Sequence, residues 1–360
     1  MYSQRYFSRN GRKLLFLKVG YRDRTKDFGN EDVEERGCTG EAGDGMVETC
    51  RVSRESNLSK QLTYGTALGP GGRGNQSNSS SRGKRQHDRH EEITNFLLKY
   101  PCTPMINVCK TKAWLENDSL MYTREDDSIL KTCVDVLQAR VATWNIFDFQ
   151  LLYRKHTTLP LWNSLDVDLS PLYYSVEDSV EILTKFLNFQ FQDNRECIVE
   201  FLTTVYNVCE RKIPKLNSVC VLSEPSGGKN FFFDMILAFY WNKGQLGNPN
   251  KNNTFAYQEC VNKRILLWNE PNYESAETDM LKMVLGGDNY TAKVKYKNDC
   301  AVYRTPVIVL TNKTVPFMID PAFADRCKVY CWNTCPMLRE VGSKPIPVAW
   351  IDLLEKYSIL

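Results

Sequence analysis

No stretch of this chain is long and apolar enough to cross a bilayer. The most apolar run, Phe231 to Trp241, reaches about half of the roughly 20 residues a spanning helix needs, and Asp234 interrupts it. Met1 to Asn10 lacks an apolar core of signal-peptide length, so the expectation is a chain that is not secreted. Charge of one sign is also missing: 46 basic against 43 acidic residues leave a net charge of +3. That excludes an argument for nucleic acid from bulk charge and requires any basic surface to be local. Histidine is scarce, with three residues, His87, His90 and His156. All lie far in sequence from Cys327, Cys331 and Cys335, whose spacing of four fits no common zinc or iron–sulfur pattern. Packing or surface thiols are therefore favoured there over a metal centre. Thirteen cysteines, an odd number scattered along the chain, argue for reduced thiols rather than a disulfide framework. No internal repeat is visible.

What is present, 42% apolar and 25% charged residues in a chain of 360, is ordinary for one or two soluble domains with a substantial core. Residues 1–92 are rich in Arg, Gly, Ser and Asn without a sustained apolar period, Gly69 to Arg85 most of all, and are expected to be disordered. The basic residues Arg82, Lys84, Arg85 and Arg89 belong to a solvated linker or, as the alternative, a nuclear-import or nucleic-acid tether. Residues 93–212 read as a helical, oligomerisation-type region. Ile129, Leu130, Cys133, Val134 and Leu137 keep a helical period, Ser175 caps a helix over Val176 to Gln190, and Asn194 to Arg211 forms another. Residues 213–335 read as an α/β domain, and 336–360 as a C-terminal tail.

Val219 to Leu222 is a short apolar strand running into Ser223-Glu224-Pro225-Ser226-Gly227-Gly228-Lys229-Asn230 and then an apolar helix. A phosphate loop is built this way: glycines let backbone N–H groups curl round phosphates, and a lysine and a helix N-terminus supply positive charge. Ser223 stands where Gly-x-x-x-x-Gly-Lys-Ser/Thr has its first glycine, and Asn230 where it has a magnesium-binding hydroxyl. Asn242 to Thr254 reads as a surface loop. Ile265 to Trp268 and Val307 to Leu310 are further continuous apolar runs, ending near Glu270 and Asn312. Three such strands with helices between them predict a parallel sheet whose ligands bind at the strands' carboxyl ends. Side by side, they bring Lys229, Glu270 and Asn312 to one edge. The chemistry is then phosphoryl transfer from ATP: Lys229 on the β/γ-phosphates, Glu270 and Asn230 on Mg2+, Glu270 polarising a water, and Asn312 sensing the γ-phosphate.

Between the last two strands, Thr291 to Lys297 alternates so that Lys293, Lys295 and Lys297 share one face, with Asn298-Asp299 as the turn of a hairpin. The row suits a DNA phosphate backbone, or guards an edge against aggregation.

Together, Glu224 to Phe233, Leu266 to Asn272, Gly286-Gly287-Asp288 with the lysine hairpin, and Pro306 to Asn312 resemble the superfamily 3 helicases of small DNA viruses. The similarity is greatest to the large non-structural replication protein of parvoviruses, in the insect densovirus branch, and covers roughly residues 93–350. The resemblance implies an AAA+-like sheet, subunits assembled into a hexameric ring, and hairpin lysines gripping single-stranded or replication-fork DNA, without a membrane partner. It implies action in the nucleus and makes Arg326 an arginine finger for the neighbouring subunit's ATP, a role worth about 10³- to 10⁵-fold where measured in GTPases.

Two departures set the expectations. Full-length relatives carry a nickase with a His-hydrophobe-His site; His87-Asp88-Arg89-His90 does not match it, so no nickase activity is expected. Ser223 places a Cβ where the loop turns tightly, which sets against the ATP-driven DNA helicase an alternative: an oligomeric DNA-binding factor with a decayed site.

Overall fold

The computed structural model describes residues 79–360, with side chains from residue 86 onward, within one compact unit. Its helices are α1 (Ser79–Lys99), α2 (Lys112–Leu115), α3 (Ser128–Ala142), α4 (Ile146–Tyr153), α5 (Val176–Gln190), α6 (Arg195–Cys209), α7 (Lys229–Phe239), α8 (Thr278–Gly286) and α9 (Ala349–Lys356). Its strands are β1 (Ser218–Ser223), β2 (Lys243–Gln245), β3 (Ile265–Asn269), β4 (Tyr290–Ala292), β5 (Cys300–Val302), β6 (Val307–Thr311) and β7 (Cys327–Trp332).

Local capping explains why the expected helices form. Asp127 accepts from the N–H groups of Ile129 and Leu130, Ser175 from Asp178, and Asn194 from Cys197, each satisfying donors that the first turn leaves free. Disorder up to residue 92 does not hold at its C-terminal end, because α1 begins at Ser79. Ile93, Phe96 and Leu97 are buried at helical spacing, and Arg89 donates to the Ser119 carbonyl and the Thr123 hydroxyl, so the preceding turns stay helical. Residues 1–78 and the side chains of Arg82, Lys84 and Arg85 lie outside the described residues.

β1, β3 and β6 lie side by side as expected, in a five-stranded parallel sheet of order β2-β3-β6-β1-β7. This is an α/β, AAA+-like arrangement, with one strand between the loop strand and the acid strand. Two members escaped the sequence reading. β2 is a polar edge strand inside the supposed surface loop, paired to β3 at Lys243↔Ile265. β7 carries Cys327, which is buried, and Cys331, which is exposed; the buried Cys335 follows the strand. Among the described residues every cysteine is free and no group of His, Cys, Asp or Glu could hold a metal by itself. No described helix is long and apolar enough to cross a membrane.

The helices and the sheet share one core. Phe186 of α5, Phe201 of α6, Phe232 of α7 and Trp332 of β7 meet with ring centroids 5.2–6.2 Å apart. A boundary at residue 212 therefore cuts through continuous packing. Arg264, 1% exposed, pins it: its guanidinium bonds the Trp144 and Cys209 carbonyls and the Glu210 carboxylate, each at 2.7 Å. The expected tail is also part of this core, since α9 buries Trp350, Leu353 and Leu354 against α5 and α7. Each such side chain contributes about 1.5–3 kcal/mol of transfer free energy.

Candidate nucleotide site

The loop between β1 and α7 turns through two left-handed residues, Ser226 (φ 62°) and Gly228 (φ 84°), the second being the N-cap of α7. Gly228 also has no room for a side chain, because a Cβ there would lie 2.4 Å from the Phe186 ring. The turn is clamped from outside. Gln190, the last residue of α5, donates to the Gly227 and Asn333 carbonyls at 3.1 and 2.9 Å and accepts from the Asn333 N–H at 2.8 Å. The Cys335 N–H donates to the Ser226 carbonyl at 3.0 Å. Gln190 was missed by the sequence reading; its only signal there was an amide on the buried face of a helix.

Lys229, 8% exposed, donates from Nζ to Ser223 Oγ at 2.8 Å, the Ser223 carbonyl at 3.1 Å and Asn312 Oδ1 at 2.5 Å. Burial lowers its pKa; the charge of Glu270 opposes that shift. Asn312 in turn donates to Glu270 from Nδ2 at 2.7 Å and from its backbone N–H at 3.2 Å. Lys229, Asn312 and Glu270 thus form one hydrogen-bonded chain from cation through amide to carboxylate. Glu270 sits just past β3 with φ 47°, in the left-handed region where a non-glycine residue is strained. Asn248 holds that turn: its side chain accepts from Trp268 Nε1 at 2.8 Å and the Asn272 N–H at 3.0 Å, and donates to the Glu270 carbonyl at 3.3 Å. It is a second residue the sequence reading missed, inside the stretch taken as loop.

Ser223 does not obstruct the turn. It is the last residue of β1, its hydroxyl donates to the Glu224 carbonyl at 2.8 Å, and its Oγ fills the space a side chain at 227 would need. A Cβ on Gly227 would meet Ser223 Oγ at 2.3 Å, so serine at 223 is accommodated because 227 is glycine. Around the loop lies a cavity of about 510 Å³, lined by Pro225, Ser226, Gly227, Gly228, Lys229, Asn230, Asn269, Glu270 and Asn312, with Leu338 and Arg339 among the remaining walls. The volume suits a small ligand such as a nucleotide. Ser223 and Glu224 are not in the lining, and Ser223 reaches the site through Lys229. Glu270 and Asn230 are the donors available to Mg2+, a set that fits an ion keeping most of its ligands as phosphate and water.

Two expectations change. The lysines are not aligned on a strand face: β4 ends at Ala292, the chain turns at Tyr296 (φ 61°), and Lys293, Lys295 and Lys297 are all exposed in the loop joining β4 to β5. Tyr296 is 94% exposed with the Lys295 ammonium 5.2 Å from its ring centroid, so the tip combines cations with an aromatic face. Arg326 is not a free arm either. Its guanidinium donates to the Lys282 carbonyl at 3.2 Å and to the Ala322 carbonyl, and its side chain packs on Gly286.

A phosphate loop after β1 of a parallel sheet, with an amide after the neighbouring β6 and an acid after β3 one strand further on, defines a P-loop NTPase fold of the AAA+-like kind. Within it, residues 177–325 match the family described as parvovirus non-structural protein NS1. Over that segment the chain is similar to this family, and over most of its length it is similar to densovirus initiator proteins. It is 40% identical over 314 residues to the initiator protein NS1 of Diatraea saccharalis densovirus, and 41% over 310 residues to that of Junonia coenia densovirus. Each match covers 85% of this chain and 56% of the relative, so the chain spans about half the length of these curated relatives. A crystal structure of JCV helicase superposes with a TM-score of 0.46 at 12% identity, covering 74% of this chain and 85% of that one, too loosely to place any residue. Since the relatives are named initiator proteins, the expectation of no nickase activity finds no support.

Proposed function

We propose that this chain is an ATP-driven DNA helicase of parvovirus-type genome replication. The observation that carries the reading is the chain of hydrogen bonds from Lys229 through Asn312 to Glu270 at the mouth of the phosphate loop. A triphosphate entering the loop competes for the Lys229 ammonium and exchanges its bond to Asn312 for one to phosphate. Asn312 keeps Glu270 oriented, and Glu270 polarises the attacking water. When bound, Mg2+ supplies neutralisation of the phosphate charge beside Glu270 and Asn230. The exposed lysines and tyrosine of the β4–β5 tip suit single-stranded or fork DNA, with charge for the backbone and a ring for a base. Assembly into a hexameric ring and work in the nucleus belong to the same proposal. In that ring Arg326 acts in trans only by releasing its two carbonyl partners. The decayed-binder alternative loses its motive, since Ser223 completes the lysine's surroundings rather than crowding the turn.

The test is ATP hydrolysis by the full chain with and without single-stranded DNA, beside Lys229→Ala and Glu270→Gln. DNA-stimulated turnover lost in both variants is the expected result. Unchanged hydrolysis in either variant overturns the site, and absent turnover in a folded wild-type chain returns the decayed binder.

A further inference from the structure

Strand order divides the loop's surroundings in two. Glu270 follows β3 and Asn312 follows β6, both on one side of β1; Thr334 to Arg339 follows β7, on the other side. This second segment is stitched to the loop. The Thr334 hydroxyl meets the Pro225 carbonyl at 3.3 Å, and the Cys335 N–H meets the Ser226 carbonyl at 3.0 Å. Leu338 lies against Gly228, its Cδ1 2.8 Å from where a Cβ would stand, and Leu338 and Arg339 both line the cavity. Arg339 is exposed, and among the described residues no carboxylate or carbonyl pairs with it.

We infer that Leu338 and Arg339 form the nucleoside subsite of this pocket, with Arg339 binding the base; the inference rests on the nucleotide reading above. A triphosphate whose terminal phosphate lies toward Lys229, Asn312 and Glu270 directs its nucleoside across β1 toward β7. There it meets an apolar side chain packed against the loop and a planar guanidinium with no partner among the described residues. A guanidinium stacks on an aromatic face and stays charged at every working pH, whereas an ammonium has no plane to offer. The segment is preorganised by its bonds to the loop carbonyls, so little ordering is left for binding to do.

The test is displacement of a fluorescent ATP analogue from the full chain by ATP, ADP and inorganic tripolyphosphate, for wild type, Arg339→Ala and Arg339→Lys. Arg339→Ala should weaken ATP and ADP by the same factor, about tenfold, and leave tripolyphosphate unchanged. Arg339→Lys should recover little of the loss. A loss confined to ATP, an equal loss for tripolyphosphate, or full rescue by lysine would place Arg339 on phosphate and overturn the inference; so would unchanged binding. Failure is distinguishable from failure of the nucleotide reading, in which wild type and Lys229→Ala alike bind no nucleotide.

Discussion

The pairing of Ser223 with Gly227 yields a double-mutant cycle with a definite sign. A Cβ at 227 would sit 2.3 Å from Ser223 Oγ and 2.7 Å from its Cβ, with the Glu224 carbonyl at 3.3 Å. Ser223 cannot simply rotate away, because its hydroxyl is fixed between the Glu224 carbonyl and the Lys229 ammonium. Gly227→Ala should therefore cost about 1–3 kcal/mol, the range for overpacking a fitted site. Ser223→Gly alone removes a hydrogen bond to a charged group, worth about 1.5–3 kcal/mol before the lysine's two other partners compensate. In the double variant the clash is gone, so Gly227→Ala in the Ser223→Gly background should cost less than about 0.5 kcal/mol. The coupling is then about 0.5–3 kcal/mol, against the roughly 0.3–0.5 kcal/mol scatter of independent sites. Denaturant unfolding gives the four stabilities, and nucleotide affinity measured on the same proteins should follow the same pattern. Additive effects, or a Gly227→Ala variant as stable as wild type, would refute the compensated-loop argument.

Other perturbations separate the parts. Nucleotide affinity should fall at alkaline pH as Lys229 deprotonates, with a midpoint below the ordinary lysine value of about 10.4 because burial lowers its pKa. Glu270→Gln removes a charge that raises that pKa and should move the alkaline limb lower still; an upward move in a pH titration of affinity would contradict the placement. Glu210→Ala strips the buried Arg264 of its carboxylate and should cost about 3–5 kcal/mol, with helical and sheet probes losing structure in one transition. Two separate transitions would restore an independent helical domain. Replacing Lys293, Lys295 and Lys297 with alanine should weaken single-stranded DNA binding and reduce its log–log salt slope by about 2, at roughly 0.7 per charge; an unaltered slope in a salt series rejects the hairpin tip.

The local periods and caps were legible in the chain: Ser175 opening a helix, Asn194 another, and the apolar runs that became β1, β3 and β6. Parallel central strands are buried on both faces and write themselves as continuous apolar residues, and the sheet's carboxyl edge then brings Lys229, Glu270 and Asn312 together. β2 and β7 were not legible, since an edge strand such as Lys-Gly-Gln owes its pairing to β3 rather than to its own composition. The lysine tip was misread for the same kind of reason: alternation fits a strand face, but pairing stops at Ala292 and the chain turns.

Sequence by itself determined the phosphate loop, the sheet's three central strands and the three polar groups at its edge, because those depend on residue type, glycine geometry and short-range period. Only the tertiary structure decided how they work together. It put Ser223 Oγ into the space Gly227 leaves, Gln190 on the loop carbonyls, Arg326 on carbonyls of its own chain, and Leu338 and Arg339 across the loop from Glu270. Each of these joins residues distant in the chain, and their spacing is set by how the helices and β7 pack around β1, which no local pattern encodes.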